Sequence, residues 1–114
     1  MEPGTQRETA RSIYETITEI DRRFDEFTRE FDAGYSQQRD ILQSTISRAG
    51  RNGDDFTFAA ARKELSKLNK MYYRKRRAKF TYILNAVCKR NGRSVDAIVK
   101  IAGYNYRTKS IRTS

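Results

Sequence analysis

The sequence predicts an all-α protein: two long antiparallel helices forming a helical hairpin with a coiled-coil-like seam, then a short third helix and a basic C-terminal arm. Three observations predict it. Apolar residues recur at steps of three and four over two long stretches. Proline is absent from both stretches, and Gly50 and Asn52-Gly53 mark a turn between them. Finally, no run of alternating apolar and polar residues marks a strand.

The first helix is expected over about residues 5–49. Ile13, Ile17, Ile20, Phe24, Phe27 and Phe31 form a seam of period 3.5, which pairs one helix with another. The strict heptad then fails at Gly34. Counting four on from Phe31 restores a seam through Tyr35, Gln38, Leu42, Ile46 and Ala49, so residues 32–34 read as a stutter and the helix is expected to run through it. Thr5 with Glu8 has the spacing of a capping box. Residues 48–55 hold Gly50, Asn52-Gly53 and Asp54-Asp55. They predict a turn in which Gly50 closes the first helix and Asp54 or Asp55 caps the next.

The second helix is expected over about 56–90, with Ala61, Leu65, Leu68 and Tyr72, then Phe80, Ile83 or Leu84, and Val87 in its seam, and Asn91-Gly92 at its end. A short third helix, 94–102, places Val95, Ile98, Val99 and Ala102 at i, i+3, i+4 and i+7 and closes at Gly103. A short turn between long helices makes them antiparallel neighbours. The expected hairpin is roughly 60 Å on its longer arm at ~1.5 Å per residue. Residue i should face residue 104 − i, which sets Arg76 and Lys79 on the seam side opposite Asp25, Glu26 and Glu30, with pairing to those carboxylates expected. Residues 1–103 read as one domain and 104–114 as the basic arm.

Charge divides the chain. Of 24 Lys+Arg and 14 Asp+Glu, residues 1–49 carry seven and ten, and residues 50–114 carry seventeen and four. A basic half joined to a mildly acidic one points to a polyanionic partner. The cations are also ordered. With Leu65, Leu68 and Tyr72 facing the partner helix, Lys63, Lys67, Lys70, Arg74 and Arg77 share the opposite face at steps of 4, 3, 4 and 3. That is a straight row of about 21 Å at ~1.5 Å per residue. Glu64 alone dilutes it. Lys75 lies beside the row, and the same sign continues in Lys89, Arg90, Arg93, Arg107, Lys109 and Arg112. A rigid row of cations can neutralise several phosphates at once and release their counterions. A solvating face is the alternative, but such faces usually mix signs. Nucleic acid is therefore the expected partner, with double-stranded DNA first and RNA second. The seam aromatics fit core packing, whereas Tyr104 and Tyr106, outside that periodicity, are expected base or sugar contacts.

Chemistry points away from catalysis. The chain has no His and one Cys, so the usual general base is missing and no cysteine-based zinc site can form. The helix-1 carboxylates alternate with Arg22, Arg23 and Arg29, which fits solvated ion pairs better than acid–base work. No cofactor motif is present. Lone Cys88, no apolar run of ~18 residues and no signal-like N-terminus together predict a cytoplasmic protein that is neither membrane-bound nor secreted.

The segment Ala102, Gly103, Asn105, Tyr106, Thr108 resembles the turn of repressor-type helix-turn-helix proteins, and departs from it at Val99 and Lys109. The resemblance implies a recognition helix carrying Tyr106, Arg107 and Lys109, hence a transcription regulator reading DNA through residues 94–114. The leading expectation is instead a non-enzymatic architectural or packaging nucleoprotein of nucleoid or virion type, self-associating on DNA through backbone contacts. A helical adaptor binding an acidic protein is the third reading.

Overall fold

Helix α1 occupies Pro3–Asn52, α2 Asp55–Arg90 and α3 Val95–Ala102. This computed structural model describes residues 3–104, with side chains from residue 11 onward. All three helices expected from periodicity are present, and no strand occurs among the described residues. The two long helices pack against each other as a helical hairpin. Helix α1 runs unbroken through Gly34. It begins two residues before Thr5, so Thr5 lies inside the helix and cannot be the cap of a capping box. A proline in the first turn starts a helix readily because its missing N–H has no partner to lose there.

The turn differs from expectation in one respect. Helix α1 continues past Gly50 and is closed by Gly53, whose φ of 66° suits a residue without a Cβ. The Asp54 N–H reaches the Ala49 carbonyl at 2.9 Å and the Gly53 N–H reaches that of Gly50 at 3.4 Å, a Schellman closure. Gly50 instead lies against the Phe58 ring. Asp54 caps α2, its carboxylate accepting the Thr57 N–H at 3.1 Å. The Thr57 side chain and, after it, that N–H bond hold the Asp54 carboxyl below its ordinary range. Helix α2 ends as α1 does, with Gly92 at φ 65° and the Arg93 N–H on the Cys88 carbonyl at 2.8 Å.

The chain divides into two compact units, residues 1–27 with 76–114 and residues 28–75. In the first unit, α1 and α2 are joined by α3. Ile20, Phe24, Phe80, Ile83, Leu84, Val87, Cys88, Ile98 and Tyr104 form its core. Phe24 meets Phe80 edge-on at 5.1 Å, as the i to 104 − i correspondence requires. Full burial of a large apolar side chain is worth about 1.5–3 kcal/mol, so this cluster dominates the unit's stability. Burial also holds the Cys88 thiol above its ordinary range. One polar residue enters the seam: the Thr16 hydroxyl donates to the Ser12 carbonyl at 2.7 Å and accepts from the Asn91 amide at 3.1 Å. Both hydrogen-bonding capacities are used, so burial of Thr16 leaves no polar group unmet.

In this unit Arg76 and Lys79 sit over aromatic rings. The Arg76 guanidinium lies 5.0 Å from the Phe24 centroid, and the Lys79 ammonium lies 5.6 Å from that of Phe27 and 5.3 Å from that of Tyr82. Seam cations thus extend the aromatic packing through cation–π contacts.

The second unit is a pair of helices with no third layer. Only Ala49 and Ala61 are buried in it. Its seam is held by half-buried Leu42, Ile46, Leu65 and Leu68 and by a run of stacked rings. Tyr72 lies between Tyr35, at 3.8 Å, and Phe31, at 5.3 Å and nearly parallel. The Tyr72 hydroxyl donates to Asp32 at 2.7 Å, and the Tyr35 hydroxyl donates to Asn69. Both pairs again follow the 104 − i register. Tyr35, where the seam resumes after the stutter, is therefore satisfied within its own unit.

Candidate nucleic-acid interface

Helix α2 presents the cationic row because its two sides carry different residue types. Leu65, Leu68 and Tyr72 turn toward α1, and the positions about half a turn away are Lys63, Lys67, Lys70 and Arg74. All four are exposed, as is neighbouring Lys75. One ion pair touches the row, Lys67 with Glu64 at 3.7 Å, and both side chains are 61% exposed. A pair so open to solvent is worth little and holds the lysine loosely. The row is thus a set of long, solvated cations on one rigid helix, spanning about 16 Å from Lys63 to Arg74 at ~1.5 Å per residue. Such an arrangement can follow a phosphate backbone.

Flanking side chains add an apolar component that periodicity alone assigned to no role. Met71 and Tyr73 sit on either side of the row and are 53% and 51% exposed. The Tyr73 ring packs edge-on against Tyr72 at 5.0 Å, which fixes its position. Arg62 lies over the Phe58 ring at 5.6 Å.

The remaining expected contacts distribute unevenly. Arg77 and Lys89, on the length of α2 belonging to the first unit, are exposed. Arg90 is ion-paired with Glu19, which also takes Arg23 at 3.3 Å. Arg93 donates from Nε to the Ser12 hydroxyl at 3.2 Å. These two arginines therefore spend part of their hydrogen-bonding capacity on α1.

Tyr104 corrects the expectation that it is a base or sugar contact at the start of an arm. It is 2% exposed, packed edge-on against Phe80 at 5.6 Å, with its hydroxyl donating to Asp21. The physical reason is the closure of α3. The Gly103 N–H bonds the Val99 carbonyl at 2.8 Å and turns the chain back, so the next ring drops into the core beside Ile98. Burial, the bond to Asp21 and the charges of Asp21 and Asp25 hold the Tyr104 phenol well above its ordinary range. Tyr106, Arg107, Lys109 and Arg112, with the second half of the helix-turn-helix-like segment, lie outside the described residues.

On α1 the carboxylates considered for acid–base work include two in intrahelical pairs, Glu26 with Arg22 at 2.9 Å and Glu19 with Arg23. Among the described residues, no group of three or more His, Cys, Asp or Glu is placed to hold a metal ion, and no helix is long and apolar enough to cross a membrane.

Comparison of the chain with protein families, with curated proteins and with solved structures gives no match.

Proposed function

We propose that this protein binds nucleic acid through the phosphate backbone and acts as a coating or architectural component, by binding and not by catalysis. The observation that carries the reading is the row Lys63, Lys67, Lys70 and Arg74: solvated, aligned on one helix face and diluted by a single carboxylate. Phosphates along a strand present a matching line of charge, and each one neutralised releases condensed counterions. Contacts of this kind carry no sequence information, so duplex DNA of any sequence is the reference ligand. Exposed Tyr14, Tyr82 and Ile101 would serve contacts between copies lying side by side on the polymer.

The test replaces Lys67, Lys70, Arg74 and Arg77 together by Gln and measures affinity for random duplex DNA over a salt series. The expected outcome is weaker binding to every sequence by a similar factor, with the slope of log K against log [salt] flattened by about 0.9 per lost duplex contact. Helix content should be preserved, since these side chains face solvent and Gln is a good helix former. Undiminished binding by the variant would overturn the reading. Binding of an acidic protein but of neither DNA nor RNA would replace it with an adaptor role.

A further inference from the structure

Helix α1 carries a glycine that its own geometry does not require. Gly34 lies in the interior of a long helix and has no positive φ, and a Cβ built on it would meet nothing within 4 Å. Glycine weakens a helix at such a position, so neither backbone conformation nor close packing accounts for it. What its missing side chain leaves is space. A groove of about 360 Å³ opens there in the second unit, lined by Phe31, Tyr35 and Tyr72 from the stacked rings, by Leu68 and Met71, and by Gly34 itself. Gln38, Glu30 and Lys75 stand around it.

We infer that this groove accepts one unpaired nucleobase from a strand whose phosphates lie on the cationic row of α2. The inference rests on the proposed function and deepens it by naming what the site takes besides phosphate. Three features select this occupant. The ring stack already uses both faces of Tyr72, so a planar heterocycle would pack against the ring edges and against Leu68 and Met71, an apolar contact open to any base. The Gln38 amide and the Glu30 carboxylate offer donors and acceptors for a base edge. The groove also adjoins the row: Met71 and Lys75 line it, and on α2 Met71 stands four residues after Lys67 and three before Arg74, a helical neighbour of both. A backbone lying on those cations therefore runs beside the groove with its bases within reach. A duplex keeps its bases paired and would use the row alone.

The test fills the groove without touching a cation. Gly34→Leu places a side chain in open space and replaces glycine by a better helix former, so the fold should hold; Gly34→Met, longer and more flexible, does the same should the branched side chain disturb the helix. Affinities are measured for a fluorescein-labelled oligothymidylate, for a strand of equal length made of abasic residues, and for a duplex. The natural protein should prefer the thymidylate over the abasic strand by about fivefold, the low end for a base on an aromatic site. Gly34→Leu should lose that preference and bind the duplex as before, while the Lys67/Lys70/Arg74 to Gln variant should weaken on all three. If the natural protein shows no preference, or Gly34→Leu keeps it, while the row variant still loses affinity, the base site is wrong and the proposed function stands. If the row variant binds all three as well as the natural protein, the proposed function falls and this inference with it. If Gly34→Leu abolishes self-association in sedimentation and leaves base preference untouched, the groove belongs to a second copy and the inference is overturned.

Discussion

The two units are built from the same two helices and differ by one layer. In residues 1–27 with 76–114, α3 covers the helix pair, and the core closes over Ile20, Phe24, Phe80, Leu84, Val87 and Ile98. In residues 28–75 no third helix among the described residues covers the pair, and the seam leaves its large side chains half-buried. A pair of helices can bury one stripe on each partner, but it cannot remove the rims of that stripe from water. A third helix removes them. The lesson is that eight residues of α3, with the tyrosine that follows, convert a coiled-coil-like seam into an enclosed core, and that the unit without them keeps both the exposed cations and the open groove. The enclosed core lies in one unit, and the exposed cationic row and the open groove lie in the other.

The sharpest way to break this contrast is truncation in each unit. Leu84→Ala in the enclosed core should cost about 2–5 kcal/mol by chemical denaturation, the range for deleting a buried leucine side chain. Leu65→Ala, at a half-buried position, should cost clearly less, and equal losses would show that the second unit is as well packed as the first. Native-state hydrogen exchange should agree, with amides near Leu84 outlasting those near Leu65.

A smaller effect isolates the last residue of the enclosed core. Tyr104→Phe keeps the ring and deletes the bond to Asp21, and should cost about 1–2 kcal/mol near neutral pH. Its pH dependence has a defined sign. Because the folded phenol is held above its ordinary range, the unfolded chain ionises first. The phenol's contribution is therefore complete below about pH 10 and is lost as pH rises beyond it. Denaturation midpoints followed into alkali should fall less steeply in Tyr104→Phe than in the natural protein. Equal slopes would place the alkaline loss on other tyrosines.

Two further variants probe the open unit. Gly34→Ala should raise stability by about 0.5–1 kcal/mol, because it removes an interior glycine and its methyl meets no neighbour. A loss of stability would mean that the space beside Gly34 closes in solution. At the turn, Asp54→Ala should lower the thermal midpoint and Asp54→Asn should largely restore it, since Asn also accepts an N–H at a cap. In the natural protein the carboxylate's share of this cap is present above the ordinary aspartate range near pH 4 and disappears as pH falls further. The smallest effect belongs to the cationic row, where replacement by Gln should shift stability by no more than about 0.5 kcal/mol, as expected for exposed side chains.

The sequence by itself determined the helices, their order and their register. Apolar steps of three and four fix which face of a helix must leave water. A short polar turn fixes that the next helix returns, and the pairs Phe24–Phe80, Tyr35–Asn69 and Asp32–Tyr72 then follow from counting. The exposure of Lys63, Lys67, Lys70 and Arg74 was legible for the same reason: one face buried defines the other as solvent. Three-dimensional packing decided what local pattern does not encode. It drew Tyr104 out of the expected arm and into the core, because a tyrosine after a helix-closing glycine reads alike whether it reaches water or a distant carboxylate. It set Arg76 and Lys79 over the rings of Phe24, Phe27 and Tyr82. It turned the stutter at Gly34, visible in the sequence only as a lapse of period, into a groove whose walls come from residues nearly forty positions apart. Periodicity along one helix states which side is inside; how much is enclosed depends on what the rest of the chain brings to cover it.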